Sequence, residues 1–188
     1  VAKLVEKAVA QALHDGSGEV ICLYAAACAE RMAPLFIGLR AEVPGREADL
    51  DFYAQSVSDL WHTDRPLADA AERVHLLEQF PELQPDREET ITDVADTYAY
   101  FAVLTLRHAM AAHHSRNADD AASCGHAALT AMGMLDQNVA GAGHLAEEQR
   151  LQHLSLSSDT ANLWGASVTA GRERFRTVLG RIPRQTFP

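Results

Sequence analysis

Val20-Ile-Cys-Leu-Tyr-Ala-Ala-Ala-Cys-Ala-Glu30-Arg31-Met-Ala-Pro34-Leu-Phe-Ile-Gly-Leu-Arg40 is the stretch whose reading decides the fold. From Val20 to Leu39 its charges are Glu30 and Arg31 alone, and its first half is apolar on every side. A helix of that kind is packed round by other elements rather than laid on a surface. Alanine, the strongest helix former, dominates it. Pro34 is expected to kink this helix or divide it in two.

The segments on either side keep the helical period. Leu4, Val5, Ala8, Val9, Ala12 and Leu13 share one face before it, with Gly16 and Gly18 ending that helix. After the Pro44-Gly45 break, Leu50, Tyr53, Ala54, Val57, Leu60 and Trp61 line a third helix. Asp64 and Pro66 mark the start of a fourth, with Leu67, Ala70, Ala71, Val74 and Leu77 as its stripe and Phe80-Pro81 as its stop. Asp86 to Arg116 is the longest periodic segment, and Asn117 caps a sixth helix running to about Val139. Gly141-Ala-Gly143 is a loop, and Glu147 to Leu156 reads as a short helix. Ser157 or Ser158 caps the last helix, whose apolar face reads Ala161, Trp164, Val168, Phe175, Val178 and Ile182 before Pro183. The expectation is an all-α, single-domain bundle of seven or eight helices covering residues 1–188.

Composition agrees. The chain has 188 residues, 47% of them apolar and 22% charged, a balance that supports one sizeable core. Aromatics reach only 6%, low for a sheet protein. Twenty-six acidic against 16 basic side chains give a net charge of −10, which repels nucleic acid phosphate and anionic lipid. Neither a nucleic acid nor a membrane partner is therefore expected, while a basic protein partner remains open. Cys22, Cys28 and Cys124 have no zinc-site or redox-pair spacing and read as buried thiols in a cytoplasmic protein. The N-terminal residues carry no secretory apolar core, and the uninterrupted apolar run Val20–Ala29 is shorter than the roughly 20 residues of a membrane span.

Ala25-Ala26-Ala27-Cys28-Ala29-Glu30-Arg31-Met32-Ala33-Pro34 resembles the alanine-rich Glu-Arg-Met-x-Pro signature of the YjaG-like family of bacterial proteins. Val57-Ser-Asp-Leu-Trp61, the Asp93-to-His108 helix and Ala127–Leu135 with Asp136 are similar in order and spacing, and the Trp164 helix fits more loosely. The region before Asp93 departs from that pattern. The resemblance spans roughly residues 20–180 and implies a compact all-helical domain. It implies no activity, because the family has no established biochemical role.

Candidate chemistry is sparse. Glu30 and Arg31 stand inside an apolar helix, where charge is costly unless it is paired or used. They read either as an internal ion pair or bundle-edge charge, or as the lining of a pocket between helices. Asp93, Asp96, Tyr100 and Arg107 are spaced three, four and seven apart, which places them along one helical face. That face is a solvated stripe, a surface that meets basic groups on a partner or another helix, or a wall of the same pocket whose two carboxylates bind a cation or share acid and base roles. Glu72-Arg-Val-His75 has the Glu-x-x-His spacing of carboxylate-bridged metal bundles, which need two such motifs, and only one is present. Adjacent His113 and His114 point about 100° apart, and Gly141-x-Gly143-x-x-Ala146 has no strand before it. No catalytic set, cofactor or metal is expected.

Asp86, Glu88, Glu89, Asp93 and Asp96 form an acidic cluster, while Arg172, Arg174, Arg176, Arg181 and Arg184 make the last helix and tail basic. These are solvated faces, or complementary surfaces between copies of the chain or toward another protein. Two functions follow from different classes. One is a non-enzymatic interaction module, for instance an immunity-type protein that blocks a basic partner. The other is a small-molecule binding protein or enzyme with a pocket near Glu30 and Asp93.

Overall fold

In the computed structural model, which describes residues 5–84, 93–157 and 159–182, the quoted stretch becomes one unbroken central helix. The elements run α1 (Lys7–Asp15), α2 (Gly18–Arg40), α3 (Glu47–Asp59), α4 (Ala70–Glu78), a 3-10 turn (Pro81–Leu83), α5 (Val94–Ser115), α6 (Ala118–Asn138), α7 (His144–Leu154) and α8 (Thr160–Leu179). The protein is all-helical, with eight α-helices and no strand among the described residues.

Gly18 opens α2 rather than closing α1, because the Ser17 hydroxyl accepts from the Val20 N–H and caps the helix. α2 packs against α3, α5, α6 and α8, which explains a helix apolar on all sides. By length and composition it is also apolar enough to cross a bilayer, with a mean hydropathy of 1.6, yet 72% of that window is buried among its neighbours. Pro34 does not divide α2. α8 comes close against it at Gly171, where a Cβ would lie 3.0 Å from Pro34 Cγ and 3.1 Å from the Arg31 carbonyl. The absent side chain lets the two helices approach at the proline.

α5 and α6 are joined by a tight turn. Arg116 adopts a left-handed conformation (φ 51°) and donates its N–H to the Ala112 carbonyl at 2.8 Å. Asn117 Oδ1 then accepts from the Asp119 N–H at 2.8 Å and starts α6. Asp93 caps α5 in the same manner. The expected Asp86 start of that helix, the Asp86-Glu88-Glu89 acids, Ser158, Pro183 and Arg184 lie outside the described residues.

Two further sequence expectations are corrected. α4 starts at Ala70, not near Pro66, because the preceding chain is held in a connector of turns and bends. There the buried His113 ring accepts the Leu67 N–H at Nδ1 (3.4 Å) and donates from Nε2 to the His62 carbonyl (3.2 Å). α8 also presents a different face. Leu163, Ser167, Ala170, Gly171, Arg174 and Val178 are buried, while Trp164 is 51% exposed and Ala161 lies at the surface. The expected face holds toward the C-terminal end, where Val178 is buried and Phe175 packs on the core, but fails at Ala161 and Trp164, because the inward stripe there runs through Leu163, Ser167, Ala170, Gly171 and Arg174.

Candidate functional site

Consecutive residues on a helix point about 100° apart, and α2 uses this to send Arg31 and Glu30 into different surroundings. Arg31 is completely buried. Its Nε and one terminal nitrogen each donate to Glu148 of α7 at 2.8 Å, a two-point pairing. Arg174 of α8, also buried, adds a third donor to Glu148 at 2.6 Å. Gln152 Nε2 donates to the other Glu148 oxygen at 2.9 Å and to the Gly125 carbonyl at 3.1 Å, and its own amide oxygen accepts from the Tyr24 hydroxyl at 2.7 Å. A Cβ at Gly125 would overlap that hydroxyl.

Burial opposes the charge on Glu148, but the fields of Arg31 and Arg174 and the donors around it outweigh that and hold the carboxyl down at about 2. Burial likewise acts against the Arg174 cation, Glu148 supports it and Arg31 repels it, leaving its pKa lowered. The group joins α2, α6, α7 and α8 around one carboxylate and two guanidiniums. It is a saturated network.

Glu30 leaves α2 on another side. It lies on the floor of a groove of about 690 Å³ bounded by α2, by α3 with the turn after it, and by the first turns of α8. Ala33 and Ile37 share the floor, Ala54, Val57, Ser58, Trp61 and His62 form one wall, and Thr160, Ala161 and Trp164 the other. Trp61 Nε1 donates to Glu30 Oε2 at 2.9 Å. Among the described residues no other hydrogen bond and no ion pair reaches Glu30. Burial pushes its carboxyl above the usual range, with the Trp61 N–H acting in the opposite direction. The chain contains two tryptophans, and both border this groove.

Trp61 is held in place from behind. Its backbone N–H donates to the Ser58 carbonyl at 3.3 Å, and the following His62 carbonyl is the acceptor of the His113 ring. Burial lowers the pKa of His113, which keeps the ring neutral, with one nitrogen donating and the other accepting. This clamp fixes the connector that carries Trp61.

The other residues singled out from the sequence do not join the groove. Asp93 is exposed and accepts from the Ala95 and Asp96 N–H groups as the α5 cap. Asp96 pairs with Arg40 at 2.7 Å, and Arg40 also pairs with the buried Glu82 at 2.7 Å. Tyr100 lies edge-on to Phe101. Arg107 pairs with Glu78 of α4 at 2.6 Å, not with an acid of its own helix. Of the sequence candidates, Glu30 alone faces the groove. Glu72 and His75 are exposed, and among the described residues no three His, Cys, Asp or Glu side chains converge as a metal site would require.

Glu148 was not singled out, and Arg174 was read only as part of the basic last helix and tail, whereas it is buried against Glu148. Arg174 had a readable signal, since it stands 11 residues after Leu163 on a stripe that continues through Ser167, Ala170, Gly171 and Val178. Glu148 had a weaker one, its place three residues before the buried Leu151 in a largely polar helix, and the arrival of Arg31 and Arg174 explains its burial. A second hollow of about 340 Å³, between α3 and the end of α4, is lined by Asp49, Phe52 and Phe80 among others. Its carboxylate, Asp49, is paired with Arg46 at 2.6 Å. No family model, curated protein or solved structure matches this chain.

Proposed function

We propose that the protein is a non-enzymatic binding module that receives a segment of a basic partner protein in the groove between α2, α3 and α8. The observation that carries this reading is Glu30, a half-buried carboxylate with no cation opposite it among the described residues, on the floor of a mostly apolar groove. Burying a lone carboxylate is costly, and a partner's cation entering the groove would offset that cost. Trp164 adds a large, half-exposed aromatic surface at the rim, the residue type most often found at energetic hot spots of interfaces. The net charge of −10 would draw a basic partner and speed its arrival. An immunity-type role, in which the partner is a basic toxin, fits this chemistry. The YjaG-like resemblance enters as a proposal of common fold, and cytoplasmic residence enters with it as part of the same reading.

The test is capture of a basic protein by the immobilised wild-type chain, compared with Trp164→Ala and Glu30→Gln. The expected result is a partner held by the wild type, released by raised salt, and lost from both variants. A partner retained equally by both variants would refute the groove as its site. Concentration-dependent self-association abolished by Trp164→Ala would identify a second copy as the occupant instead.

A further inference from the structure

We propose that Glu30 is a cation subsite for the primary ammonium of a lysine side chain inserted by the partner. This rests on the groove being the binding site and adds what the groove selects.

The two oxygens of Glu30 are not equivalent. Oε2 accepts the Trp61 indole N–H, whereas no described residue donates to Oε1. A guanidinium binds a carboxylate best through two parallel hydrogen bonds, which need both oxygens. With the indole N–H already on Oε2, a fork must share that oxygen through its second lone pair, on the side the indole leaves open. An ammonium is a compact charge whose donors rotate to suit, so one oxygen is enough. Nearby acids do not compete, because Asp59 at the end of α3 is paired with Arg73 at 2.8 Å. Glu30 is the one carboxylate among the described residues that line the groove.

The walls fit the rest of a lysine. Ala33, Ile37 and Val57 offer aliphatic surface to its four-carbon stem, which long cationic side chains bury readily. Trp61 and Trp164 supply the ring type that attracts cations most strongly. The volume of about 690 Å³ is far larger than one side chain, so it accommodates the apolar residues flanking the lysine as well. Specificity then lies in the depth of Glu30 and affinity in the aromatic rim.

Because both tryptophans border the groove, intrinsic fluorescence of the full chain reports directly on it. The probes are a blocked octapeptide with one central lysine among leucines, the same peptide with norleucine or arginine at that position, and n-hexylammonium. The lysine peptide is expected to shift the emission saturably and to bind about tenfold more tightly than the norleucine peptide. It should also outbind the arginine peptide and n-hexylammonium. Glu30→Gln should abolish the lysine preference while leaving norleucine binding in place. Equal binding of lysine and norleucine peptides would overturn the subsite and leave the groove reading intact. A lysine preference that survives Glu30→Gln would also overturn it. If n-hexylammonium binds as tightly as the lysine peptide, the occupant is a free alkylamine and the lysine assignment fails. Absence of binding by every probe, together with partner capture unaffected by Trp164→Ala, would remove the groove reading itself.

Discussion

The Arg31 network and the Glu30 groove begin on adjacent residues of one helix, and they treat charge in opposite ways. Around Glu148 the carboxylate receives two arginines and a glutamine, and every member is at most 1% exposed. Around Glu30 a single indole N–H is the whole of the described polar contact, and solvent reaches the rest through the groove. The first arrangement has no capacity left for a ligand. The second leaves one carboxylate oxygen without a described donor. The difference teaches that a charged pair inside an apolar helix is not one feature, since each member is judged by what meets it.

The largest effect that would break this contrast is in the network. Glu148→Gln leaves two buried guanidiniums without a counter-charge, and loss of one partner from such a group typically costs about 3–5 kcal/mol. Urea denaturation should show a loss of that size, a large share of the stability of a domain. A loss below about 1 kcal/mol would mean that water or rearrangement satisfies the arginines and that the network is not saturated.

The next effect is acid sensitivity. The Glu148 pKa is lowered from 4.5 to about 2 in the folded protein. A lowered carboxylate pKa contributes stability that is fully present above the unfolded value and lost as pH falls through the folded one. The window therefore runs from about pH 4.5 down to about pH 2, and the contribution is roughly 3 kcal/mol. The stability gap between wild type and Glu148→Gln should narrow across this window, followed by denaturation at fixed pH steps. A constant gap would contradict the assigned pairing.

A smaller effect sharpens the other side. His113 holds the Trp61 connector as a neutral ring, with its pKa lowered from 6.5. Protonation must then favour the unfolded chain, so this contribution is complete above pH 6.5 and declines as pH falls below it. The two tryptophans should change emission in the same range, and His113→Asn should flatten that change. An emission profile unaltered by the substitution would place the control of Trp61 elsewhere.

Much of this was legible in the sequence, and the reasons are specific. The all-helical architecture followed from the apolar period, with Asn117 and the Phe80-Pro81 stop adding local capping and breaking chemistry. Trp164 was misplaced because period and hydrophobicity pointed inward, while the buried face of α8 was decided by Arg174 reaching Glu148. Glu30 was identified from its cost inside an apolar helix, but its surroundings were not, because Trp61 and Trp164 approach from 31 and 134 positions away in the chain. The Asp93–Arg107 series showed the limit of spacing arguments. Asp96 and Arg107 have partners on α2 and α4, which are not visible from one helix alone, and Asp93 is that helix's own cap rather than part of its face.

One measurement tests the contrast most directly, because the same isosteric change is made at both carboxylates. Urea midpoints of Glu30→Gln and Glu148→Gln should be compared with the wild type at pH 7. The prediction is that Glu30→Gln stays within about 0.5 kcal/mol of wild type or rises above it, since the substitution removes a partly buried charge with no ion pair and is made outside any tightly paired network. Glu148→Gln should fall by about 3–5 kcal/mol. If Glu30→Gln is destabilised as severely as Glu148→Gln, Glu30 is a structural group, and the division between a closed network and an open site is wrong.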